Sequence, residues 1–394
     1  MTGNPVVGKL GRRLRLAVVG GGGIALIGPV HRTAARLDDL FEIKASVLSA
    51  DPARSVAQGK ELGIERAYPD LAALLEGERG RADPVDAVSI ATPNDSHYEL
   101  AVRALEAGLD VICDKPLTND LASAVALVAK VAASRRVFVL THNYSGYPMI
   151  RQARGMIGDG QLGPLHLVHV SYVQGSLSSM VEDDPQTMAP RMRWRLDPAK
   201  GGASHVMLDI GTHAHQLATY VTGLDVQAVM ADVGAVLPGR TTHDTGMALL
   251  RFTNGAKGML LSSKAASGAE NAIAIEAYGP TGGVFWEQAD QNRLRFMRQN
   301  EPAQLLVRGL PSNHPIARRA TRVPIGHPEG FFECFANLYT DFAEQVAARI
   351  AGTTPDPHAL HLPTAVDGAK GLAFIEACMR SSEEGRWVEV PSLG

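Results

Sequence analysis

Cysteine is scarce in this chain, with 3 among 394 residues, and Cys113, Cys334 and Cys378 lack metal-like spacing. That excludes a disulfide scaffold and points to buried thiols in a reducing cytoplasm. Long apolar runs are missing too. Leu16 to Val19 follows a basic cluster, Lys9, Arg12, Arg13 and Arg15, but is too short for a signal peptide or a membrane span. It reads instead as a frayed N-terminus leading into a first strand. Nor does charge of one sign dominate. A formal net charge of -3 offers no general attraction to nucleic acid or to an anionic membrane. Fixed-period repeats, heptad arrays and low-complexity tracts are likewise absent.

What the chain does have is length and apolar content. At 394 residues, 45% apolar and 20% charged, it exceeds the size at which one hydrophobic core keeps growing, so two folded domains are expected. The first third alternates strands and helices. Leu14 to Val19, Phe41 to Leu48, Asp86 to Ala91, Val111 to Cys113 and Val137 to Thr141 read as strands. Between them fall helices: one from the glycine run to about Leu37, one capped by Asp70 and running through Leu75, and one from Tyr98 to Ala107. The third opens on a Ser96/Glu99 capping box and stops at Gly108; a fourth spans Leu121 to Ala133. Such short links call for a doubly wound parallel sheet covered on both faces.

Beyond about Gly160 the runs become longer and alternate. Leu165 to Val173, Val226 to Val236, Met247 to Phe252, Lys257 to Ser263, Ala272 to Tyr278 and Val284 to Glu287 carry strand-forming residues, with hairpin-length links such as Thr253-Asn254-Gly255. They predict an open-faced, mostly antiparallel sheet flanked by helices at Val206 to Thr222, Glu333 to Ile350 and Thr364 to Ser381, with a last short strand at Trp387 to Val390. The Pro- and His-rich link Thr353 to Pro363 reads as a surface loop. The boundary expected is therefore 1–145 for an α/β domain and 146–394 for an α+β domain, with the closing helices (333–381) able to pack back on the first.

Gly20 to Gly23 stand between the first strand and a helix. Glycines there let backbone approach a pyrophosphate at the helix N-terminus, which makes Gly20, Gly22, Gly23 and Ile24 candidate dinucleotide contacts. The spacing departs from G-x-G-x-x-G, because the next glycine is Gly28, as if the loop carried an insertion. A glycine run on its own is as readily a plain turn. At the end of the second strand Ser49 leaves room for a 2′-phosphate that Arg54 could pair, while Asp51 competes for the ribose hydroxyls. NAD and NADP both stay open, with the balance tilted to NADP.

The run Val111 to Pro116, VICDKP, places Lys115 directly before a proline at the end of a strand, where extended backbone would aim its ammonium into the crevice outside the strand ends. Standing alone it would read as a solvated loop lysine. Asp209 and His213 lie four apart on one predicted helical face, so the carboxylate can orient the ring. A histidine near its ordinary pKa can take an alcohol proton while hydride leaves the same carbon. Two duller readings compete: a surface i,i+4 pair, and a zinc site of His205, Asp209 and His213, for which no cysteine assists. His205 and His215 read as structural or rim residues, and no metal is expected.

In order and interval, strand-GGGG-helix, Ala91-Thr92-Pro93-Asn94 with His97, Cys113-Asp114-Lys115-Pro116, and Gly201-Gly202 followed by Asp209-Ile210-Gly211-Thr212-His213 resemble the Gfo/Idh/MocA oxidoreductases. The resemblance spans nearly the whole chain. It implies a Rossmann domain followed by the open sheet domain, and an NAD(P)-dependent dehydrogenase acting on a secondary alcohol of a sugar, polyol or glycoside. It also implies Lys115, Asp209 and His213 as the catalytic triad and as substrate contacts. Thr92, Pro93, Asn94, His97, Asp114 and Lys115 would lie near the nicotinamide, and the second domain's sheet would serve a homo-oligomer, dimer or tetramer. Three departures stand out: Asp114 replaces the usual glutamate, Gln216 stands where an acid is frequent, and the glycine loop is longer.

For the carbohydrate itself, His142, Asn143, Tyr144, Tyr147, Trp194 and Arg195 offer aromatic faces with amide or guanidinium donors suited to a polyhydroxylated ring. His213 is expected to accept the hydroxyl proton, Lys115 to stabilise the developing oxyanion, and Asp209 to orient the pair. Two further functions fit the same residues: an oxidoreductase that retains its nicotinamide, cycling between two sugars or making a 3-keto-glycoside, and a non-catalytic dinucleotide sensor.

Overall fold

Strand β1 (Leu14–Gly20) is apolar on both faces and buried along most of its length, which places it at the middle of a covered sheet. Around it, in a computed structural model that describes residues 4–23, 25–183, 194, 196–197 and 201–393, lie β2 (Phe41–Val47), β3 (Arg66–Ala67), β4 (Ala87–Ala91), β5 (Asp110–Cys113) and β6 (Phe138–Leu140). Their order is β3-β2-β1-β4-β5-β6, and every neighbouring pair is parallel. This is the doubly wound sheet that the alternating pattern implied. The order reverses between β1 and β4, and open parallel sheets bind ligands outside the strand ends at such a point. Gly20 pairs with Ala91, so the turns leaving these two strands emerge side by side.

Helices α1 (Pro5–Leu10), α2 (Ile27–Leu37), α3 (Pro52–Glu61), α4 (Leu71–Glu78), α5 (His97–Glu106) and α6 (Leu121–Ser134) connect and precede these strands. The N-terminus differs from expectation. Asn4 caps α1 through the amides of Val6 and Val7, Pro5 supplies the first turn, and Val6 is fully buried, so the segment is helical rather than frayed. The basic cluster is also internally paired: Lys9 with Glu344, Arg12 with Asp86 and Arg13 with Asp39. Asp70 does cap α4, but the Ser96/Glu99 capping box does not form. Ser96 Oγ turns instead to Thr92 Oγ1 (2.7 Å) and to the Pro93 carbonyl (2.8 Å), and α5 begins at His97, one residue before the expected Tyr98.

The second sheet runs β14-β13-β12-β11-β7-β10-β9-β8-β15 and is antiparallel except where β7 meets β10. Its strands are β7 (Leu167–Val173), β8 (Val226–Gly234), β9 (Thr245–Phe252), β10 (Lys257–Ser263), β11 (Ala272–Gly279), β12 (Gly282–Glu287), β13 (Arg293–Arg298), β14 (Gln304–Val307) and β15 (Val388–Glu389). Sequence reading omits β13 and β14, whose arginines and polar ends mask the alternation of Leu294 and Phe296. In β9, Ala248, Leu250 and Phe252 face the core, while Met247, Leu249 and Arg251 face outward. Helices α7 (Pro148–Gly158), α8 (Thr212–Thr222) and α9 (Pro315–Arg319) belong to this part, followed by α10 (Phe331–Ala351) and α11 (Ala365–Glu384).

Two compact units result. The first takes Met1–Thr118, Ala122–Asn143 and Phe331–Ala365; the second takes Asn119–Leu121, Tyr144–Gly330 and Val366–Gly394. The closing helices are therefore shared out, α10 to the first unit and nearly all of α11 to the second. The link between them is not wholly a surface loop either, since Ala359, Leu362 and Pro363 are buried and the Pro363 carbonyl accepts from Leu140 N. Among the described residues no helix is long and apolar enough to cross a membrane.

Candidate active site

In the first unit the turn after β1 is built for close approach. Gly20 has φ +82°, and a Cβ there would stand 2.5 Å from the Ala91 carbonyl oxygen. Gly21 and Gly28 touch backbone to backbone: a Cβ on Gly28 would fall 2.0 Å from the Gly21 oxygen. Gly28 thus lets α2 close on the turn in spite of the longer loop, which explains the displaced third glycine. Buried Arg32 fixes the turn from below, donating to the Gly21 carbonyl at 2.9 Å. With Gly22 and Gly23 completing the turn and α2 starting at Ile27, the chain presents side-chain-free backbone beside a helix N-terminus, which fits a pyrophosphate. Ile24 lies outside the described residues.

The tip of β2 carries the residues expected to face the ribose. Asp51 Oδ1 caps α3 by accepting from Arg54 N (2.8 Å), while Arg54 Nε donates to Ser49 Oγ (2.9 Å). One carboxylate oxygen is thereby taken up in the cap. The exposed guanidinium is held against the serine.

After β4 and β5 come the two turns of the lysine motif, joined by His97. Its buried ring places Nδ1 2.8 Å from the Pro116 carbonyl oxygen and Nε2 3.0 Å from that of Thr92. Its ring nitrogens are thus engaged by backbone, and it serves as a strut between Thr92-Pro93-Asn94 and Asp114-Lys115-Pro116. The Lys115-Pro116 peptide is cis, and Lys115 is half-buried. Asp114 beside it accepts from Thr141 Oγ1 (2.8 Å) and lies 3.7 Å from His31 Nε2. Burial pushes its carboxyl up, but neighbouring His31 and the charge of Lys115 outweigh burial and hold it well below its ordinary value. His31 Nδ1 in turn meets Tyr339 Oη at 2.8 Å, and that hydroxyl meets Ser89 Oγ at 2.8 Å. Sequence reading missed His31 and Tyr339. They stand on α2 and α10, far from the motif in the chain, with no local signal.

The second unit holds the other pair. Asp209 lies in a single π-turn, Met207–Gly211, closed by an i→i+5 hydrogen bond from Thr212 N to the Met207 carbonyl and continued directly by α8. This differs from the plain α-helical face expected; such turns recur at functional sites because they re-aim side chains. The Asp209 carboxylate is met by Lys264, Nζ to Oδ2 2.6 Å, and the lysine side chain is only 4% exposed. Buried His213 sets its ring edge-on to Tyr144, centroids 5.0 Å apart and planes at 84°, with Tyr172 at 6.0 Å. The Tyr144 and Tyr172 hydroxyls are 2.7 Å apart. Burial, helped by the Asp209 charge and opposed by hydrogen bonds, pushes the Tyr172 hydroxyl up to about 12, so it remains a donor at neutral pH. Lys264 was not foreseen from sequence, because a lysine at the end of an alternating strand reads as solvated.

The remaining candidates fall differently. Tyr147 is a core residue, 2% exposed and packed between Tyr144 and Trp286. His142 and Asn143 are buried in the first unit, and Asn143 Nδ2 reaches Cys334 Sγ at 3.5 Å. Trp194 is half-buried, and Arg195 lies outside the described residues. His215 is structural, stacked on Phe374 at 4.5 Å. Asp209 is committed to an ammonium, and among the described residues no three His, Cys, Asp or Glu side chains group as a metal site, so the zinc reading gains no support.

Residues 14–142 match the family described as "Oxidoreductase family, NAD-binding Rossmann fold", and residues 150–285 match the "GFO/IDH/MocA C-terminal domain". The chain belongs to the GFO/IDH/MocA oxidoreductases. Among its GFO/IDH/MocA relatives, the uncharacterized oxidoreductase YfiI of Bacillus subtilis is 32% identical over 96% of this chain and 98% of that protein. Levoglucosan dehydrogenase of Pseudarthrobacter phenanthrenivorans is 24% identical over 97% and 99%. The crystal structure of an inositol dehydrogenase homolog from Azotobacter vinelandii, complexed with NADH and myo-inositol, is 35% identical over 97% and 98%, with a TM-score of 0.87.

Proposed function

We propose that this GFO/IDH/MocA chain is a dehydrogenase that passes a hydride between a secondary hydroxyl of a sugar, polyol or glycoside and NAD or NADP. The observation that carries the reading is the arrangement in the second unit, where half-buried Asp209 is paired with buried Lys264 and the His213 ring is framed by two tyrosine rings. A surface ion pair has no use for such burial. The sugar and polyol names of its relatives supply the substrate class.

In this reading the glycine turn and the α2 N-terminus hold the pyrophosphate. Ser49 and Arg54 accept a 2′-phosphate, and Asp51 retains one carboxylate oxygen for ribose hydroxyls; the serine and arginine tilt the preference to NADP. When bound, the nicotinamide supplies the hydride acceptor. His213 takes the hydroxyl proton, Lys115 donates to the same oxygen as negative charge develops, and Asp209 orients the imidazole. Tyr144, with its hydroxyl in the buried network, borders the sugar.

The test is a panel of polyols, aldoses and glycosides incubated with each dinucleotide, following absorbance near 340 nm. Reduced nicotinamide should form with at least one class, at a higher kcat/KM with NADP. Dinucleotide binding without turnover across the panel would replace the dehydrogenase reading with a sensor. More than tenfold preference for NAD would overturn the assignment of Ser49 and Arg54.

A further inference from the structure

Lys264 stands at the end of β10, just beyond Ser263, and buries its ammonium in the second unit with 3% of the residue exposed. Burying a lysine is costly unless its charge is matched, so its partners indicate why it is there. Nζ touches Asp209 Oδ2 at 2.6 Å and donates to Gln174 Oε1 at 3.1 Å. Gln174 Nε2 passes on to Asn271 Oδ1 at 2.5 Å, and Asn271 Oδ1 also accepts from Tyr172 Oη at 2.7 Å. The other end of Asn271 donates to Tyr144 Oη at 3.1 Å and to Gln288 Oε1 at 2.9 Å. Those two tyrosines frame the His213 ring. Asp209 is therefore held by the ammonium, His213 is held by the tyrosines, and one buried polar chain links the two holds.

We propose that Lys264 is a positioning residue for the reaction: it fixes and charge-balances Asp209, and through Gln174 and Asn271 it keeps the acid in register with His213. This rests on reading Asp209 and His213 as the proton-transfer pair. Among the described residues, the groups facing that pair within the second unit include Lys264 from the end of β10, Tyr172 from β7 and Tyr144 from the turn before α7. Lys264 is the cation among them. With the ammonium in place, the attraction of the Asp209 carboxylate for an imidazolium is offset, so His213 can be neutral and ready to accept a proton. Removing the ammonium leaves a half-buried carboxylate four residues before the imidazole with its charge unmatched, which favours the protonated form of a neighbouring histidine.

The test compares Lys264→Met, Lys264→Arg and the charge-neutral double variant Lys264→Met/Asp209→Asn with His213→Asn. It uses the full chain and a substrate identified by the 340 nm panel. For Lys264→Met, kcat should fall about 100-fold, the loss typical of a reacting group displaced by an ångström, with KM changed far less. The acid limb of its kcat/KM profile should move to higher pH by about one unit. Lys264→Arg should restore the position of that limb and part of kcat. The double variant, which leaves no unpaired buried charge, should recover thermal stability lost in Lys264→Met but not its activity.

A Lys264→Met enzyme with lowered melting temperature but unchanged kcat and pH profile would make the lysine merely structural and overturn the proposal. Recovery of kcat together with stability in the double variant would overturn it as well. His213→Asn separates the two levels. If that variant keeps full turnover, the underlying pair is wrong; if it abolishes turnover while Lys264→Met is silent, only the role of Lys264 fails.

Discussion

Lys115 and Asp114 are adjacent in sequence, yet their surroundings divide their roles. Asp114 is buried and ionised, accepting from Thr141 and lying beside His31. Lys115 keeps its ammonium half-buried beside that fixed negative charge. A preorganised donor of this kind contributes roughly 3 to 4 kcal/mol to a transition state with a developing oxyanion. Lys115→Ala should therefore lower kcat by about two to three orders of magnitude while leaving dinucleotide affinity within a few-fold. Steady-state kinetics and a fluorescence titration of reduced nicotinamide check both halves; near wild-type turnover would remove the lysine from the mechanism. The lysine and its aspartate were legible in the sequence because the motif is contiguous. His31, Tyr339 and Lys264 were not, because each reaches its partner from a distant element.

Among the elements, α8 does two jobs. Its first turn carries His213, while two residues later His215 turns to α11 and stacks on Phe374, buried so that its Nδ1 finds no hydrogen-bond partner. Burial, with Lys370 assisting and Asp225 opposing, lowers the His215 imidazole from 6.5 to about 4. The sign follows from proton uptake. Below 6.5 the unfolded chain binds a proton that the folded chain refuses, so the contribution is intact above that value and is lost as pH falls toward about 4. The loss amounts to at most about 3 kcal/mol. His215→Phe preserves the stack and removes the titration, so its melting temperature should fall less than that of the parent between pH 7 and pH 4.5. Equal pH slopes in thermal melts would refute the assignment. The π-turn before α8 was invisible in the sequence, since Asp209 to His213 has the same spacing whether the ladder runs i→i+4 or i→i+5.

At the scale of the molecule, the outward face of the second sheet carries exposed apolar side chains. Leu167, Met247, Leu249 and Met259 are each 46 to 51% exposed there, and Met259 lies opposite Leu249 in register. An exposed apolar face on adjacent central strands is the mark of an association surface. We propose that it joins copies of this chain into a dimer or tetramer. Met259→Asp with Leu249→Asp should shift the mass measured by light scattering toward the monomer, with the fold retained by circular dichroism; a parent protein that is already monomeric would refute the assignment.

What the amino-acid order determined by itself was whatever depends on near neighbours: strand and helix periodicity, the glycine turn, the Asp70 cap position and the contiguous lysine motif. Period and most capping are local energies that act between near neighbours, the unformed Ser96/Glu99 box being the exception. Only the tertiary structure decided which charges are matched. Burial makes an unmatched lysine or carboxylate too costly to keep, so Lys264 and Asp209 acquire their meaning from a contact between residues far apart in the chain that no local pattern announces.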